Sequence, residues 1–161
     1  MQSLSITLLL FCVVTLRLAG AAEKSPTSDI DTLTQATDRF MTALSRGQVS
    51  DAFNTIFKQY WHEKDQAAAQ AAKLAKQYEG FQGALEQELG KRIPGAYEFV
   101  GTRRLGKSIV RLVYLQKYEK TVYPVALSFY KAREEWKLNG IAMGDSAADD
   151  LKALDVTEPV K

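Results

Sequence analysis

The chain has 161 residues, 46% hydrophobic and 25% charged, with 21 Lys+Arg against 19 Asp+Glu. That length is enough to bury one sizeable core. The charge balance, broken only by the short clusters Lys91-Arg92 and Arg103-Arg104, argues against a nucleic-acid footprint.

Residues 1–21 read as a secretory signal peptide. The apolar run Ile6 to Leu16 has the length of a signal h-region and falls short of the roughly 20 apolar residues that span a bilayer. Ala19-Gly20-Ala21 is an A-x-A match, which places cleavage after Ala21 or, second, after Ala22. Two features depart from the usual pattern: Met1-Gln2-Ser3 carries no Lys or Arg, and Arg17 sits late. The alternative is an uncleaved anchor. Cys12, the only cysteine, follows the bulky Phe11, so no lipid attachment is expected. Cleavage removes Arg17 alone, leaving 20 cations against 19 anions, or +1. The mature chain then has no disulfide, thiolate metal site or cysteine nucleophile. A periplasmic or extracellular domain with no lasting membrane anchor follows.

Residues 22–30 are polar and read as a flexible start, and residues 156–161 as a flexible tail; residues 31–155 form the single domain. A first helix is predicted from Asp31 or Thr32, with Leu33, Ala36, Phe40, Ala43 and Leu44 on one face. Gly47 after Arg46 fits its C-terminal cap. Ser50 reads as the N-cap of a short second helix, whose face is Ala52, Phe53, Ile56 and Phe57. A third helical stretch runs from Glu63 to Leu89, with Ala71, Leu74, Tyr78, Phe81, Leu85 and Leu89 three or four apart. Gly80 and Gly83 predict a bend in it, and Gly90 and Pro94 stop it. The alanines between Ala67 and Ala72 suit close helix packing or a homodimer face.

From Gly95 the period changes to alternation. Strands are predicted over 97–105, 108–117, 122–131 and 136–143, with turns at Gly106-Lys107, Glu119-Lys120 and Arg133-Glu134. Short turns imply an antiparallel meander. In the second strand Ile109, Arg111, Val113 and Leu115 share one face; Val110, Leu112, Tyr114 and Gln116 share the other. Residues 146–154 add a final short helix capped by Ser146. The fold class is α+β, with N-terminal helices on a curved four-stranded antiparallel sheet.

The turn Ala43-Leu44-Ser45-Arg46-Gly47-Gln48 followed by Asp51-Ala52-Phe53, and Trp136-Lys137-Leu138 opening the last strand, resemble the nuclear transport factor 2-like superfamily, the cystatin-like α+β cone. The resemblance covers most of residues 31–145. It implies a cone with a cavity between sheet and helices. Members that are enzymes rely on pocket Asp, His or Tyr residues. Here the only histidine is His62, and no strand position before Asp145 is an Asp.

Aromatic side chains with polar tips suit the border of such a cavity. The candidate ligand-binding residues are Tyr60, Trp61, Tyr97, Arg111, Tyr114, Tyr123, Phe129 and Trp136, for a small apolar or anionic ligand. Arg111 would be an anion anchor or ion-paired if its face is inward, and ordinary if outward. Trp136 is expected to be largely buried. No catalytic residue is assigned. His62 lies between Trp61 and Glu63-Lys64, where solvent is expected and no orienting partner is evident. No metal or cofactor is expected: Glu86 and Glu88 do not share a helix face, and Asp145, Asp149 and Asp150 lack calcium-loop spacing. The leading function is an exported, non-catalytic binding or interaction domain. The alternatives are a small-molecule isomerase, dehydratase or hydrolase using the same cavity, or a structural dimerisation module.

Overall fold

The computed structural model describes residues 26–154, so the expected signal peptide, residues 22–25 and the tail lie outside it. Helices α1 (Pro26–Ser45), α2 (Val49–Tyr60) and α3 (Ala67–Leu89) come first. Strands β1 (Arg92–Leu105), β2 (Ile109–Tyr118), β3 (Val122–Ala132) and β4 (Glu135–Met143) follow, then helix α4 (Asp145–Ala153). The strands form one sheet in the order β1-β2-β3-β4, every neighbour antiparallel.

Helix α1 starts at Pro26, several residues before the expected Asp31, so residues 26–30 are helical rather than part of a flexible lead. A proline suits a first helical position because the first-turn N–H has no intrahelical partner. Tertiary contacts hold this extra turn. Asp29 accepts from Lys131 Nζ at 2.8 Å and from Trp136 Nε1 at 3.4 Å, tying the start of α1 to the β3–β4 end of the sheet.

The α1–α2 corner is the one the sequence indicates. Gly47, at φ 82°, donates to the Leu44 carbonyl at 3.0 Å, and Gln48 donates to Ala43 at 2.9 Å. These are the paired bonds of a Schellman turn, whose left-handed residue is most cheaply glycine. Arg92 adds a bond from Nη1 to the Leu44 carbonyl at 3.1 Å, so the start of β1 closes the end of α1. Two expected caps are absent. Gln48, not Ser50, occupies the N-cap of α2, and Gly144, not Ser146, that of α4; neither makes a side-chain capping bond. Helix α3 runs unbroken through Gly80 and Gly83 and begins at Ala67 rather than Glu63. Its small residues Ala67, Ala71 and Ala75 are buried, which allows close approach to α2.

Register places the core. The face of β2 bearing Val110, Leu112, Tyr114 and Gln116 turns toward α1–α3, where it meets Phe40, Phe53, Ile56 and Phe57. Val125, Leu127 and Phe129 of β3 continue that face. In β4 the register slips by one residue opposite Ser128 and Phe129. This bulge keeps Ile141 and Met143 on the same face as Trp136 and Leu138, which strict alternation would forbid. A second, smaller layer lies on the opposite face: Val113, Ala126 and Ala142 pack against Ala147, Leu151 and Leu154 around α4.

Trp136 is largely, though not fully, buried. Its ring packs at the edge of the core with the Lys131 ammonium 5.6 Å from its centroid. Trp136→Ala is expected to cost about 2 kcal/mol in chemical denaturation, short of the 3–5 kcal/mol range of fully buried aromatics. A loss below about 1 kcal/mol would show that the packing and the Asp29 contact contribute little.

Candidate functional site

A groove of about 400 Å³ opens between the helical layer and the β3–β4 side of the sheet. Phe53 of α2 and Leu74, Gln77, Tyr78 and Phe81 of α3 form one wall; Tyr123, Ile141 and Met143 form the other. It exists because α3 packs chiefly on α2 and makes little contact with the strands. Tyr78 Oη of α3 donates to Gln116 Oε1 of β2 at 3.2 Å. At the β4 end Gly144, at φ 63°, sits so close to Tyr123 that a Cβ there would lie 3.0 Å from the phenol oxygen. The lining has no Asp, Glu, His, Lys or Arg. Its titratable groups are the phenols of Tyr78 and Tyr123, and burial pushes that of Tyr123 up, with the Tyr78 phenol adding to the rise.

Of the eight residues singled out from the sequence, only Tyr123 lines this groove. Tyr60 and Phe129 meet edge to face in the core, ring centroids 5.2 Å apart. Trp61 stacks on Phe57 at 4.8 Å just past the end of α2. Tyr97 and Tyr114 lie side by side under α1, 6.0 Å apart. The single proton of the Thr37 hydroxyl goes to a carbonyl of its own helix, so Tyr114 Oη is the donor in their 2.6 Å bond. Tyr97 donates to the Asp38 carbonyl at 3.3 Å. Trp136 stands at the Asp29 contact. The aromatics are thus spread through the core instead of converging on one cavity.

Arg111 lies on the face away from the groove. It neighbours Arg103 directly across β1–β2, and both guanidiniums reach the same carboxylate oxygen of Asp150, at 2.5 and 3.4 Å. Two like charges opposite each other in a sheet repel; Asp150 from α4, 2% exposed, resolves this and pins α4 to the sheet. Arg111 is thus ion-paired although its face points away from α1–α3, because Asp150 of α4 reaches it there, and it does not line the groove. Asp150→Ala is expected to cost about 2–3 kcal/mol, less than a fully buried pair because the guanidiniums keep about a third of their exposure. Amide exchange should quicken first in α4; unchanged protection there would contradict the latch.

His62 is exposed, 3.7 Å from Glu63 and with its ring tilted against that of Trp61. Among the described residues, no group of three His, Cys, Asp or Glu could hold a metal ion, and no helix is long and apolar enough to cross a membrane. Asp149 pairs with Lys152 at 3.1 Å instead of joining Asp150.

The sequence reading named Phe53, Leu74, Tyr78 and Phe81 as helix-face residues, without connecting them to a cavity. In the structure Phe81, at the end of the Leu74-Tyr78-Phe81 spacing, is still 38% exposed. Gln116, an amide in an otherwise apolar row, was a signal in the sequence. Comparison of the chain with protein-family models, with curated proteins and with solved structures returns no match.

Proposed function

We propose that the chain is an exported, non-catalytic binding domain of the nuclear transport factor 2-like type, and that the groove between α3 and the β3–β4 side receives a small apolar ligand. The observation that carries this is the composition of the groove: apolar and phenolic walls of ligand-sized volume, with no charged residue in the lining. An enzyme built on the same groove would need a proton-transfer group poised near neutral pH. Burial moves the phenols of Tyr114 and Tyr123 away from that range, and His62 is distant in role, exposed beyond the end of α2.

The test uses N-phenyl-1-naphthylamine, a neutral probe whose fluorescence rises in apolar sites. The native protein is expected to bind it saturably. Leu74→Trp, which fills the groove from α3, is expected to weaken binding about tenfold or more, a loss of roughly 1.4 kcal/mol, with the fold intact by circular dichroism. No saturable signal, or equal binding by the variant, would contradict the proposal.

A further inference from the structure

Ile141 and Met143 of β4 take part in two surfaces at once. Their side chains line the groove, and their main chain belongs to a sheet edge. β4 ends the strand order, so one of its sides has no neighbouring strand. The register tells which groups lie on that side. Gly144 donates to the Pro124 carbonyl at 2.9 Å, and Met143 stands opposite Val125. In an antiparallel pair, positions bonded to the partner strand alternate with positions whose N–H and C=O point away from it. Gly144, Ala142 and Gly140 therefore face β3, while the N–H and C=O of Met143 and Ile141 face the open edge. The far side of β3 agrees. Tyr118 donates to the Thr121 carbonyl at 2.9 Å, which by the same alternation turns the main chain of Val125 and Leu127 toward β2 rather than β4.

The two edges of the sheet differ. The β1 edge carries Arg92, Pro94, Glu98, Arg103 and Arg104 and two breaks in register, devices that keep other chains from pairing. In β4 the charges of Glu135 and Lys137 and the bulge all come early. Leu138 to Met143 holds no charge and no proline. An open row of main-chain donors and acceptors is matched by another extended backbone. A residue placed directly opposite Ile141 or Met143 shares their face of the sheet, so its side chain lies at the groove. The lining there has no charged residue, which suits an apolar side chain. A second copy of this chain fits less well. Symmetric pairing of β4 would join only the four residues beyond the bulge, Gly140 to Met143, against the roughly 20–30 residues a side of a stable interface. The second copy's Ile141 and Met143 would also stay in the wall of their own groove.

We propose that β4 takes an extended peptide segment of a partner protein as a fifth, antiparallel strand, with alternate apolar side chains set against the groove at Ile141 and Met143. This goes beyond the small-ligand reading and shares with it only that wall, so the two can fail separately. The probe is acetyl-Thr-Leu-Thr-Leu-Thr-amide, titrated into the protein and followed by amide hydrogen exchange. In the free protein the Ile141 and Met143 amides are expected to exchange fast, and those of Gly140 and Ala142 slowly. Saturating peptide is expected to slow Ile141 and Met143 about tenfold or more, with Ala147 and Leu151 of α4 unchanged. N-methylation of both leucines removes the donors facing β4 and keeps the side chains. It is expected to weaken binding about tenfold or more, the worth of two hydrogen bonds, whereas N-methylation of the central threonine, whose amide faces outward, should change it less than about twofold. No protection at Ile141 and Met143, or equal losses on methylating leucines and threonine, would overturn the proposal. Protection that appears without peptide and rises with protein concentration would assign the edge to a second copy and overturn it too. Peptide binding in the expected pattern without naphthylamine binding would leave the edge standing and the groove ligand refuted; naphthylamine binding without peptide binding would do the reverse.

Discussion

Raising the pH above about 10 is expected to unfold the domain in a single steep step, with phenolate absorbance and loss of helical circular dichroism appearing together. The cause is the set of buried phenols. Tyr114 is fully buried and Tyr118 nearly so; burial is the main force pushing both above the ordinary value of 10.0. For Tyr114 the bond to Thr37 offsets part of that, while Asp38 and Tyr97 add to it. For Tyr118 the neighbouring Tyr78 adds to it and Arg92 opposes it. Tyr60 and Tyr123 are shifted the same way, again chiefly by burial. The folded state thus holds its phenol protons longer than the unfolded chain does. Above pH 10 the unfolded state binds fewer protons, so stability falls as pH rises; below pH 10 the contribution is complete. Each such phenol removes about 1.4 kcal/mol per pH unit in that window, so Tyr114 and Tyr118 alone remove about 3 kcal/mol per unit. Against a total stability of about 5–15 kcal/mol for a domain, this is decisive within a few units. Smooth ionisation of all tyrosines with the circular dichroism unchanged would contradict the buried positions of Tyr114 and Tyr118.

Phe53→Ala is expected to lower stability by about 3–5 kcal/mol, as loss of a fully buried aromatic does. Phe53 is 3% exposed and sits where the helices meet. Its ring contacts Phe40 edge to face at 5.4 Å, Phe57 at 6.4 Å and Tyr78 at 6.3 Å. Removing it leaves a space bounded by three other rings, which cannot collapse into it without shifting α2 against α3. It also forms part of the groove, so the same change should widen the site and loosen its hold on the naphthylamine probe. Chemical denaturation measures the first effect, and a cost below about 1 kcal/mol would mean that the three rings repack freely.

The parts of this fold legible in the sequence are those decided by local chemistry. Gly47 after Arg46 announced the α1–α2 corner, because a Schellman turn requires a left-handed residue at that point. The change of period at Gly95 announced the meander, because its short connections admit little other than antiparallel neighbours. What the sequence could not show was set by partners far along the chain. The true start of α1 depends on Asp29 meeting Lys131 and Trp136, more than 100 residues away. The inward face of β2 was undecidable from alternation, since both faces are apolar and both are covered, one by α1–α3 and the other by α4. Arg111 found its partner in Asp150, 39 residues on. The groove was hidden for a related reason: it comes from α3 standing off the sheet, a matter of tertiary packing that no spacing within α3 encodes. Aromatic residues were therefore a poor guide to it, because most of them fill the core.

The most direct test of the groove as a ligand site is a methyl-labelled NMR titration of the protein with N-phenyl-1-naphthylamine. The signals of Leu74, Ile141 and Met143 are expected to shift together and saturably, while those of Ala147, Leu151 and Leu154, on the other side of the sheet, stay in place. Shifts centred on the α4 side, or no saturable shift at Leu74, Ile141 and Met143, would contradict the assignment of the site.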